Sequence, residues 1–210
     1  MALSNEAGRP RIGFFGGAFD PPHLTHVALA REALAQGRLQ ELRVFPTGHA
    51  WHKARTLSPA VHRIAMARLA FGELPGVVVD ERETRRDGPT YTIDTLRELQ
   101  AERPDAQLVL LLGTDQVRAL PSWHGWQEIL SMAVILVAER IGPGGAADPF
   151  DPHTLPGMPP GARFERLGLA PTAASATDIR ARAARGEDLS RLVPPAVARY
   201  IDQHHLYRTT

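Results

Sequence analysis

Short apolar runs alternate with segments of helical periodicity along the whole chain. Apolar runs of about four to eight residues bounded by turn signals are typical of buried strands, whereas apolar residues three and four positions apart are typical of helices. Such an alternation predicts an α/β fold, with a doubly wound parallel sheet and helices on both of its faces. The predicted strands are residues 12–15, 41–45, 77–79, 107–112, 133–138 and 163–167.

The run of residues 107–112 is the most apolar in the chain, as expected of a central parallel strand that is buried on both faces. One helix has a clear start signal, because Ser58 can act as N-cap and Pro59 suits the first helical position. The stretch 141–161 is rich in proline and glycine and predicts a long surface loop. The predicted helices run from residue 24 to a stop at Gly37, from 58 past 69, around 93–99, from about 126, from 175 to about 185, and over 197–205.

Composition and charge limit the class of protein. The 210 residues suit one domain over 1–210, with a core of about 11–208 and a helical C-terminal end of about 175–206. The chain has 24 Lys and Arg and 23 Asp and Glu, so its net charge is +1. No nucleic-acid or membrane partner is therefore expected. The sequence contains no cysteine, residues 1–10 have no apolar core of signal-peptide length, and no apolar run approaches the ~18 residues of a membrane span. We therefore expect a soluble, cytoplasmic protein, and the sequence leaves a homo-oligomer open.

A candidate phosphate site lies where the first predicted strand ends in Gly16 and Gly17 and a helix begins. Glycines at a turn let the backbone approach a ligand, while the free N–H groups and the dipole of a helix start favour an anion. His23 and His26 are three positions apart, so both rings project from one face of the first helical turn. The stretch predicts a strand, a glycine turn and a helix that together hold a phosphate group.

Two other interpretations of this stretch remain open from the residues alone. A Gly-Gly pair after a strand is often only a turn. The His-x-x-His pair could bind zinc, but a closed zinc site needs further ligands, and the chain has no cysteine and no nearby His-x-x-x-His.

Two segments that are far apart in the sequence resemble the signatures of one enzyme family. Residues 16–26 (GGAFDPPHLTH) are similar to the run Gly-Gly-x-Phe-Asp-Pro-x-His-x-Gly-His of the nucleotidylyltransferases, whose fold is a Rossmann-like doubly wound sheet. Residues 174–180 (ASATDIR) resemble the second signature of that family, Ile-Ser-x-Thr-x-Ile-Arg. Ser175 alone would be read as an ordinary N-cap and Arg180 as a solvated side chain. The two segments together make chance a poor explanation.

The middle of the chain narrows the resemblance to the bacterial nicotinate mononucleotide adenylyltransferases. The similar segments are residues 80–83, 90–96, 113–115, 121–123 and 200–207, so the resemblance extends from about residue 12 to 208. It implies an enzyme of NAD biosynthesis that joins nicotinate mononucleotide to the AMP part of ATP, giving deamido-NAD and pyrophosphate. The phosphate of the mononucleotide can attack the α-phosphorus itself, so such a protein positions the reactants and neutralises charge. Mg²⁺ is implied as the ion that shields the leaving pyrophosphate.

The resemblance also implies roles for individual residues. The implied catalytic residues are His23, His26, Lys53 and Arg180. Contacts with ATP are implied for Gly16, Gly17, Ala18, Phe19, His23, His26, Gly113, Asp115, Arg140, Ser175, Thr177 and Arg180. The acceptor mononucleotide is expected at Thr90 and Tyr91, whose backbone amides meet its carboxylate in the family, and at Trp123, which can stack on its pyridine ring. No residue is assigned as a metal ligand.

Several of these residues also have plain structural interpretations. Trp123 could be ordinary core, Lys53 a solvated surface lysine and Arg140 an exposed loop arginine. Asp20 could simply shape the turn before the two prolines. His52 is better explained as a loop histidine than as a ligand.

The chain departs from the family pattern at two places, and these affect the expected site. Thr25 stands where the family has glycine, which would narrow the approach of ATP to the first helical turn. Residues 50–51, Ala-Trp, replace the two prolines that precede the His-Lys pair of the family. Independently of these departures, two rival functions remain open: transfer to nicotinamide mononucleotide, phosphopantetheine or another phosphorylated acceptor, and a non-catalytic domain that senses ATP.

Overall fold

The computed structural model describes residues 8–48, 56–140, 151–170 and 174–208, and of Arg140 the backbone only. Its elements alternate as the sequence predicts. The strands are β1 Arg11–Gly17, β2 Glu41–Pro46, β3 Val77–Val79, β4 Gln107–Gly113, β5 Ala133–Arg140 and β6 Phe164–Leu169. The helices are α1 Leu24–Gln36, α2 Ala60–Phe71, α3 Thr92–Glu102, α4 Thr114–Ala119, α5 Trp126–Met132, α6 Ala176–Ala184 and α7 Pro195–Gln203.

All six strands belong to one parallel sheet in the order β3-β2-β1-β4-β5-β6. The predicted doubly wound fold is thus confirmed, and each predicted strand is present. The strand order reverses between β1 and β4, because the chain leaves β1 towards β2 and β3 and returns on the other side to β4. In sheets of this kind, the crevice at the carboxyl ends of the two strands at the reversal is where ligands bind.

Each face of the sheet supports a separate apolar core, because successive strand residues point to opposite faces. Phe15 and the inward sides of α1, α2, α6 and α7 form one core. Phe14, Leu110 and Leu112 point to the other face, where they pack with α3 and α5. The rings of Phe14 and Phe45 stack there with their centroids 4.4 Å apart. Both faces of β4 are buried, as predicted from its continuous apolar sequence.

Some boundaries differ from the prediction. Helix α2 begins at Ala60 with Pro59 as N-cap, and Ser58 does not cap it. The backbone N–H of Ser58 instead donates to Asp20 Oδ2, at 3.0 Å. The six-residue helix α4 was not predicted, since Val117 is its one buried residue and so short a segment shows no apolar periodicity. Of the predicted surface loop 141–161, only residues 151–161 are described, and they include a 3₁₀ turn at Pro152–Thr154.

Candidate functional site

A cleft of about 280 Å³ opens at the carboxyl ends of β1 and β4, at the reversal of strand order. It brings together six of the residues that the sequence assigns to the site: Gly16, Gly17, Ala18, Thr90, Tyr91 and Trp123. Residues predicted to contact ATP and residues predicted to contact the acceptor therefore line the same cavity. Its other lining residues are Phe14, Thr47, Glu83, Thr92, Leu110, Leu112, Gln116, Ala119, Ser122 and His124.

The two glycines at the end of β1 let aromatic rings lie directly against the backbone. A Cβ at Gly16 would come within 2.9 Å of the Phe14 ring, and one at Gly17 within 3.0 Å of the Phe19 ring. Phe19 is almost fully buried and has a positive φ of 47°, a conformation that is uncommon outside glycine. Packing of the two rings thus gives these glycines a role that the sequence did not predict, next to the expected approach of a ligand.

The acceptor side of the cleft is formed by the start of α3 and the segment before α5. Tyr91 is the N-cap of α3, and its ring lies 4.5 Å from that of His124, measured between centroids. Trp123 is only half buried, so it contributes one side to the core and leaves another to the cleft. The structural interpretation of Trp123 as ordinary core is therefore insufficient. His124 has no sequence signal, because its place depends on the short turn that precedes α5.

A buried carboxyl group, that of Glu83, lies in the wall of the same cleft. Glu83 belongs to a 3₁₀ turn at Arg82–Arg85 and is 3% exposed. The hydroxyl of Thr95 donates to Glu83 Oε1 at 2.9 Å. Burial raises the pKa of Glu83 to about 7, because the charged form is poorly solvated there. Sequence reasoning assigned no role to Glu83, since a charged residue within the charged segment 80–88 gives no sign of burial.

His23 and His26 form a stacked pair at the start of α1, with their ring centroids 3.7 Å apart. The backbone N–H of His23 donates to Nδ1 of His26 at 3.2 Å, so a neutral His26 carries its proton on Nε2. Burial lowers the pKa of His23 to about 4, which keeps its ring neutral near pH 7. Nδ1 of His23 is buried and has no hydrogen-bond partner among the described residues. His23 therefore has a neutral ring that is largely removed from solvent and is stacked on that of His26.

The free backbone donors predicted at the start of α1 are mostly engaged within the protein. The N–H of Leu24 donates to the carbonyl of Leu192 at 2.9 Å. That of His26 reaches the carbonyl of His23 at 2.9 Å, and that of His23 itself donates to Nδ1 of His26 at 3.2 Å. The N–H of Leu24 is therefore not free as expected, because the segment before α7 packs against the first turn, while phosphate binding at this helix start stays a prediction. Side chains are left as the main donors here.

Asp20 joins the turn before α1 to three distant parts of the chain. The hydroxyl of Tyr207 donates to its Oδ1 at 2.7 Å, and the N–H of Ser58 to its Oδ2. The guanidinium of Arg180 donates to its carbonyl oxygen at 2.8 Å. Asp20 is 2% exposed, and its contacts are those of the structural role that the sequence left open. Burial and the neighbouring carboxylate raise the pKa of Tyr207, so its hydroxyl stays a donor.

The second signature lies directly beside the first. Arg180 Nη2 also donates to the hydroxyl of Thr177 at 3.1 Å, which orients the guanidinium towards the β1–α1 turn. Ser175 caps α6 by accepting the N–H of Asp178 at 3.2 Å. The hydroxyl of Thr25 reaches the carbonyl of Ala174 at 3.5 Å. Thr25, the departure from the family pattern, thus contributes a contact between the two signatures.

Arg63 is a buried residue of the site that the sequence analysis missed. It is 3% exposed, and its guanidinium donates to the carbonyl oxygens of Ala18, Thr47 and Ser58 at 3.1, 2.7 and 2.9 Å. These contacts connect the ends of β1 and β2 to the segment before α2. An arginine inside a helical pattern is normally read as solvated, so only the fold reveals this role.

The remaining predicted residues lie at the edge of the cleft or outside the described part. The N–H of Gly113 donates to Gln116 Oε1 at 3.0 Å, and the Asp115 side chain is 99% exposed, with Arg118 3.8 Å away. Lys53, His52 and the Ala-Trp pair at 50–51 fall outside the described residues, as does the side chain of Arg140. Within the described ranges, no three His, Asp or Glu side chains are grouped so as to hold a metal ion, and no helix is long and apolar enough to cross a membrane.

Comparison with known proteins gives one consistent result. Residues 14–182 match the family model described as Cytidylyltransferase-like. A protein of Albidiferax ferrireducens named "Probable nicotinate-nucleotide adenylyltransferase" is 58% identical over 199 residues, which is 95% of this chain and 98% of that protein. A protein of the same name from Methylibium petroleiphilum is 43% identical over 207 residues, 97% of this chain and 95% of that protein.

The fold is also similar to that of a solved structure. The structure of Plasmodium falciparum nicotinic acid mononucleotide adenylyltransferase complexed with NaAD matches with a TM-score of 0.73 at 18% identity, over 94% of this chain and 97% of that one. At such low identity the likeness concerns the fold alone.

Proposed function

Because the chain belongs to the cytidylyltransferase-like family and, within it, to the nicotinate-nucleotide adenylyltransferases, we propose that it transfers the AMP moiety of ATP to nicotinate mononucleotide. The products are deamido-NAD and pyrophosphate, and the reaction belongs to NAD biosynthesis. One observation carries the proposal: the glycine turn of β1 and the acceptor residues Thr90, Tyr91 and Trp123 line the same cleft. A nucleotidyl transfer needs two substrates side by side, and this cleft has a distinct wall for each.

On the acceptor side, a pyridine ring would lie against Trp123. The backbone N–H groups at the start of α3, next to Tyr91, suit the nicotinate carboxylate, because a helix start favours an anion. The ring pair of Tyr91 and His124 closes that end of the cleft. The acceptor phosphate would then point towards Gly17 and Ala18, where the triphosphate is expected.

On the ATP side, the proposed contacts are side chains as well as the glycine turn. His23 and His26 would donate to the phosphates and Arg180 would supply a fixed positive charge. An oxygen of the acceptor phosphate forms a new bond to the α-phosphorus, and the bond from that phosphorus to the leaving pyrophosphate breaks. The negative charge that grows on pyrophosphate is stabilised by donors already in place. Lys53 is proposed as a further cation, and Gly113, Ser175 and Thr177 as edges of the nucleotide site.

Mg²⁺ is proposed to arrive with ATP and not to occupy a site made by the protein alone. Magnesium is usually bound by one or two carboxylates together with substrate phosphates, which is the arrangement proposed here. The exposed carboxylate of Asp115, in the first turn of α4 just after β4, would hold a water molecule of the ion. When bound, the ion shields the charge of the pyrophosphate. A cytoplasmic location is part of the proposal.

The test is pyrophosphate release by the purified protein with Mg-ATP, offering nicotinate mononucleotide, nicotinamide mononucleotide and phosphopantetheine in separate reactions. We expect fast release with the nicotinate compound and much slower release with the others. Release with another acceptor alone would overturn the assignment of Thr90, Tyr91 and Trp123 while leaving the transfer chemistry. No release with any acceptor, despite ATP binding, would favour the sensing domain.

A further inference from the structure

Glu83 is the one buried acidic side chain in the wall of the cleft, as far as the described residues show. The proposed reaction needs no general base, because the acceptor phosphate is already a nucleophile. A buried carboxyl group has a large desolvation cost when it is charged. Since no general base is needed to justify this cost, Glu83 must have another role.

A directed hydrogen-bond chain holds the carboxyl of Glu83 in place. Arg86 can only donate, and its Nη1 donates to the Thr95 hydroxyl oxygen at 2.7 Å. The hydroxyl proton is therefore directed to Glu83 Oε1, at 2.9 Å. Thr95 is fully buried and lies on α3, one turn after the helix start where the acceptor carboxylate is expected. The chain thus connects the acceptor end of the cleft to a group that can hold or lose a proton.

The backbone of Glu83 is held as firmly as its side chain. A Cβ at Gly48, just beyond β2, would fall 2.1 Å from the Glu83 carbonyl oxygen and 2.8 Å from the Thr90 hydroxyl. The turn that carries Glu83 is therefore packed between the end of β2 and α3. This turn has little room to move the Glu83 carboxyl away from the cleft. A charge on this carboxyl would therefore act directly on a ligand in the cleft.

The charges around Glu83 partly cancel one another. Arg86 favours its ionised form, whereas Asp80 and Glu98 disfavour it. Asp80 is paired with Arg82 at 2.7 Å, and Glu98 with Arg86 at 2.6 Å. Among the described residues that line the cleft, the other titratable groups are Tyr91 and His124. With the neighbouring charges paired, burial decides the protonation of Glu83, and the carboxyl is neutral at mildly acidic pH.

We propose that Glu83 is a specificity-determining residue of the acceptor cleft: its neutral carboxyl admits an acceptor that carries a ring carboxylate, and its ionised form disfavours that acceptor. The inference rests on the proposed function. Two negative charges in a poorly solvated cleft repel each other more strongly than in water. An acceptor with a neutral carboxamide at the same ring position lacks this repulsion. The choice between the two acceptors should therefore depend on pH in the range where Glu83 titrates.

The experiment measures kcat/KM for nicotinate mononucleotide and for nicotinamide mononucleotide from about pH 5.5 to about pH 8.5. The ratio of the two values is the readout, because the phosphate of the acceptor, ATP and Mg²⁺ are common to both reactions and cancel. For the wild type we expect the ratio to fall by about tenfold as pH rises through the titration of Glu83. In Glu83→Gln, which keeps the shape and stays neutral, the ratio should be high and independent of pH.

A second variant moves the titration without removing it. Thr95→Val has nearly the same shape as the wild type but loses the hydroxyl that stabilises ionised Glu83. The fall of the ratio should therefore shift to higher pH, which a purely structural role of Thr95 would not produce. The inference would be overturned if the ratio did not change with pH in the wild type, or if it changed equally with pH in Glu83→Gln. In either case, turnover of nicotinate mononucleotide would still support the proposed function. Absence of turnover with both acceptors would overturn both.

Discussion

Burial sets the protonation state of two residues of this site. His23 and Glu83 are both nearly inaccessible, and burial moves the pKa of each towards the neutral form, to about 4 for the histidine and about 7 for the carboxyl. A neutral histidine can donate one hydrogen bond to a phosphate without first losing hydration. His23 and Glu83 therefore differ from ordinary surface histidines and glutamates in their surroundings, which the sequence does not show.

The first prediction concerns His23. Replacing it with alanine removes a preorganised donor for the phosphates, and loss of one such donor typically costs on the order of 10²–10³ in rate. We expect kcat of His23→Ala to fall by that factor, measured as pyrophosphate release at saturating substrates. His205→Ala, which changes an exposed histidine near the C-terminus, is the matched control and should retain the wild-type rate. An undiminished rate in His23→Ala would remove the residue from the chemistry.

The second prediction concerns stability and Glu83. Its pKa is higher in the folded protein than in the unfolded chain, so the folded state binds more protons between about pH 4.5 and about pH 7 and loses stability as pH rises through that range. Glu83→Gln has no such loss. Relative to the wild type, the variant should gain up to about 3 kcal/mol in free energy of unfolding between these pH values. Denaturant unfolding of both proteins at both pH values measures this gain. If the difference in free energy of unfolding between variant and wild type were the same at both pH values, the assigned burial of Glu83 would be contradicted.

At the scale of elements, three segments after strands form the walls of the cleft and are fixed by buried contacts. The turn before α1 is fixed by Asp20, the end of β2 by Arg63, and the 3₁₀ turn at Arg82–Arg85 by Thr95 and Gly48. Each turn follows the carboxyl end of a strand, and each is fixed by buried contacts to distant helices or segments. The cleft is therefore rigid on the sides where substrates are expected, which favours preorganised binding.

The third prediction tests the packing of Gly48. An alanine there would place its Cβ against backbone, which cannot move aside cheaply, so the turn carrying Glu83 and the hydroxyl of Thr90 must shift. We expect Gly48→Ala to cost about 1–3 kcal/mol of stability and to raise KM for the acceptor several-fold. The KM for ATP should change less. Gly8→Ala, where a Cβ meets nothing within 4 Å, is the control. Equal effects on both KM values would argue against a local role.

The fourth prediction tests the contact of Tyr207 with Asp20. Tyr207→Phe removes one hydrogen-bond donor from the buried carboxylate of Asp20, and loss of a hydrogen bond to a charged group typically costs about 1–3 kcal/mol. We expect a loss of that size in thermal or denaturant unfolding, with a reduced rate because the turn before α1 loosens. Tyr200→Phe removes a hydroxyl whose contact with His62 is only partly buried, and it should cost less. Similar costs for the two variants would contradict the importance of the Asp20 contacts.

At the scale of the whole molecule, the sequence predicts the sheet well and the contacts of the site less well. Continuous apolar runs such as β4 have few interpretations in a chain that alternates strands and helices, so all six strands could be located. The glycine turn and Thr90, Tyr91 and Trp123 also meet in one cleft, as expected from their positions after strands. Family membership, first inferred as a resemblance, is confirmed by relatives that match nearly the whole chain.

What the sequence could not provide is the set of contacts between distant residues. Tyr207 and Asp20 are 187 positions apart, and Arg180 and Asp20 are 160 apart. Neither pair follows a helical or strand period, so no local pattern indicates it. For the same reason Arg63 and Glu83 read as solvated charges, although both are buried. The engaged N–H of Leu24 was missed because Leu192 approaches α1 only in the folded chain.

The central claim is that the cleft joins the AMP part of ATP to nicotinate mononucleotide, and following the α-phosphorus tests it most directly. The purified protein would be incubated with nicotinate mononucleotide and Mg-ATP labelled at the α-phosphate, and the products separated. We predict that the label enters a dinucleotide that contains nicotinate, in step with the release of unlabelled pyrophosphate. Label that stays in ATP, or that appears in ADP or free AMP without a dinucleotide, would contradict the account.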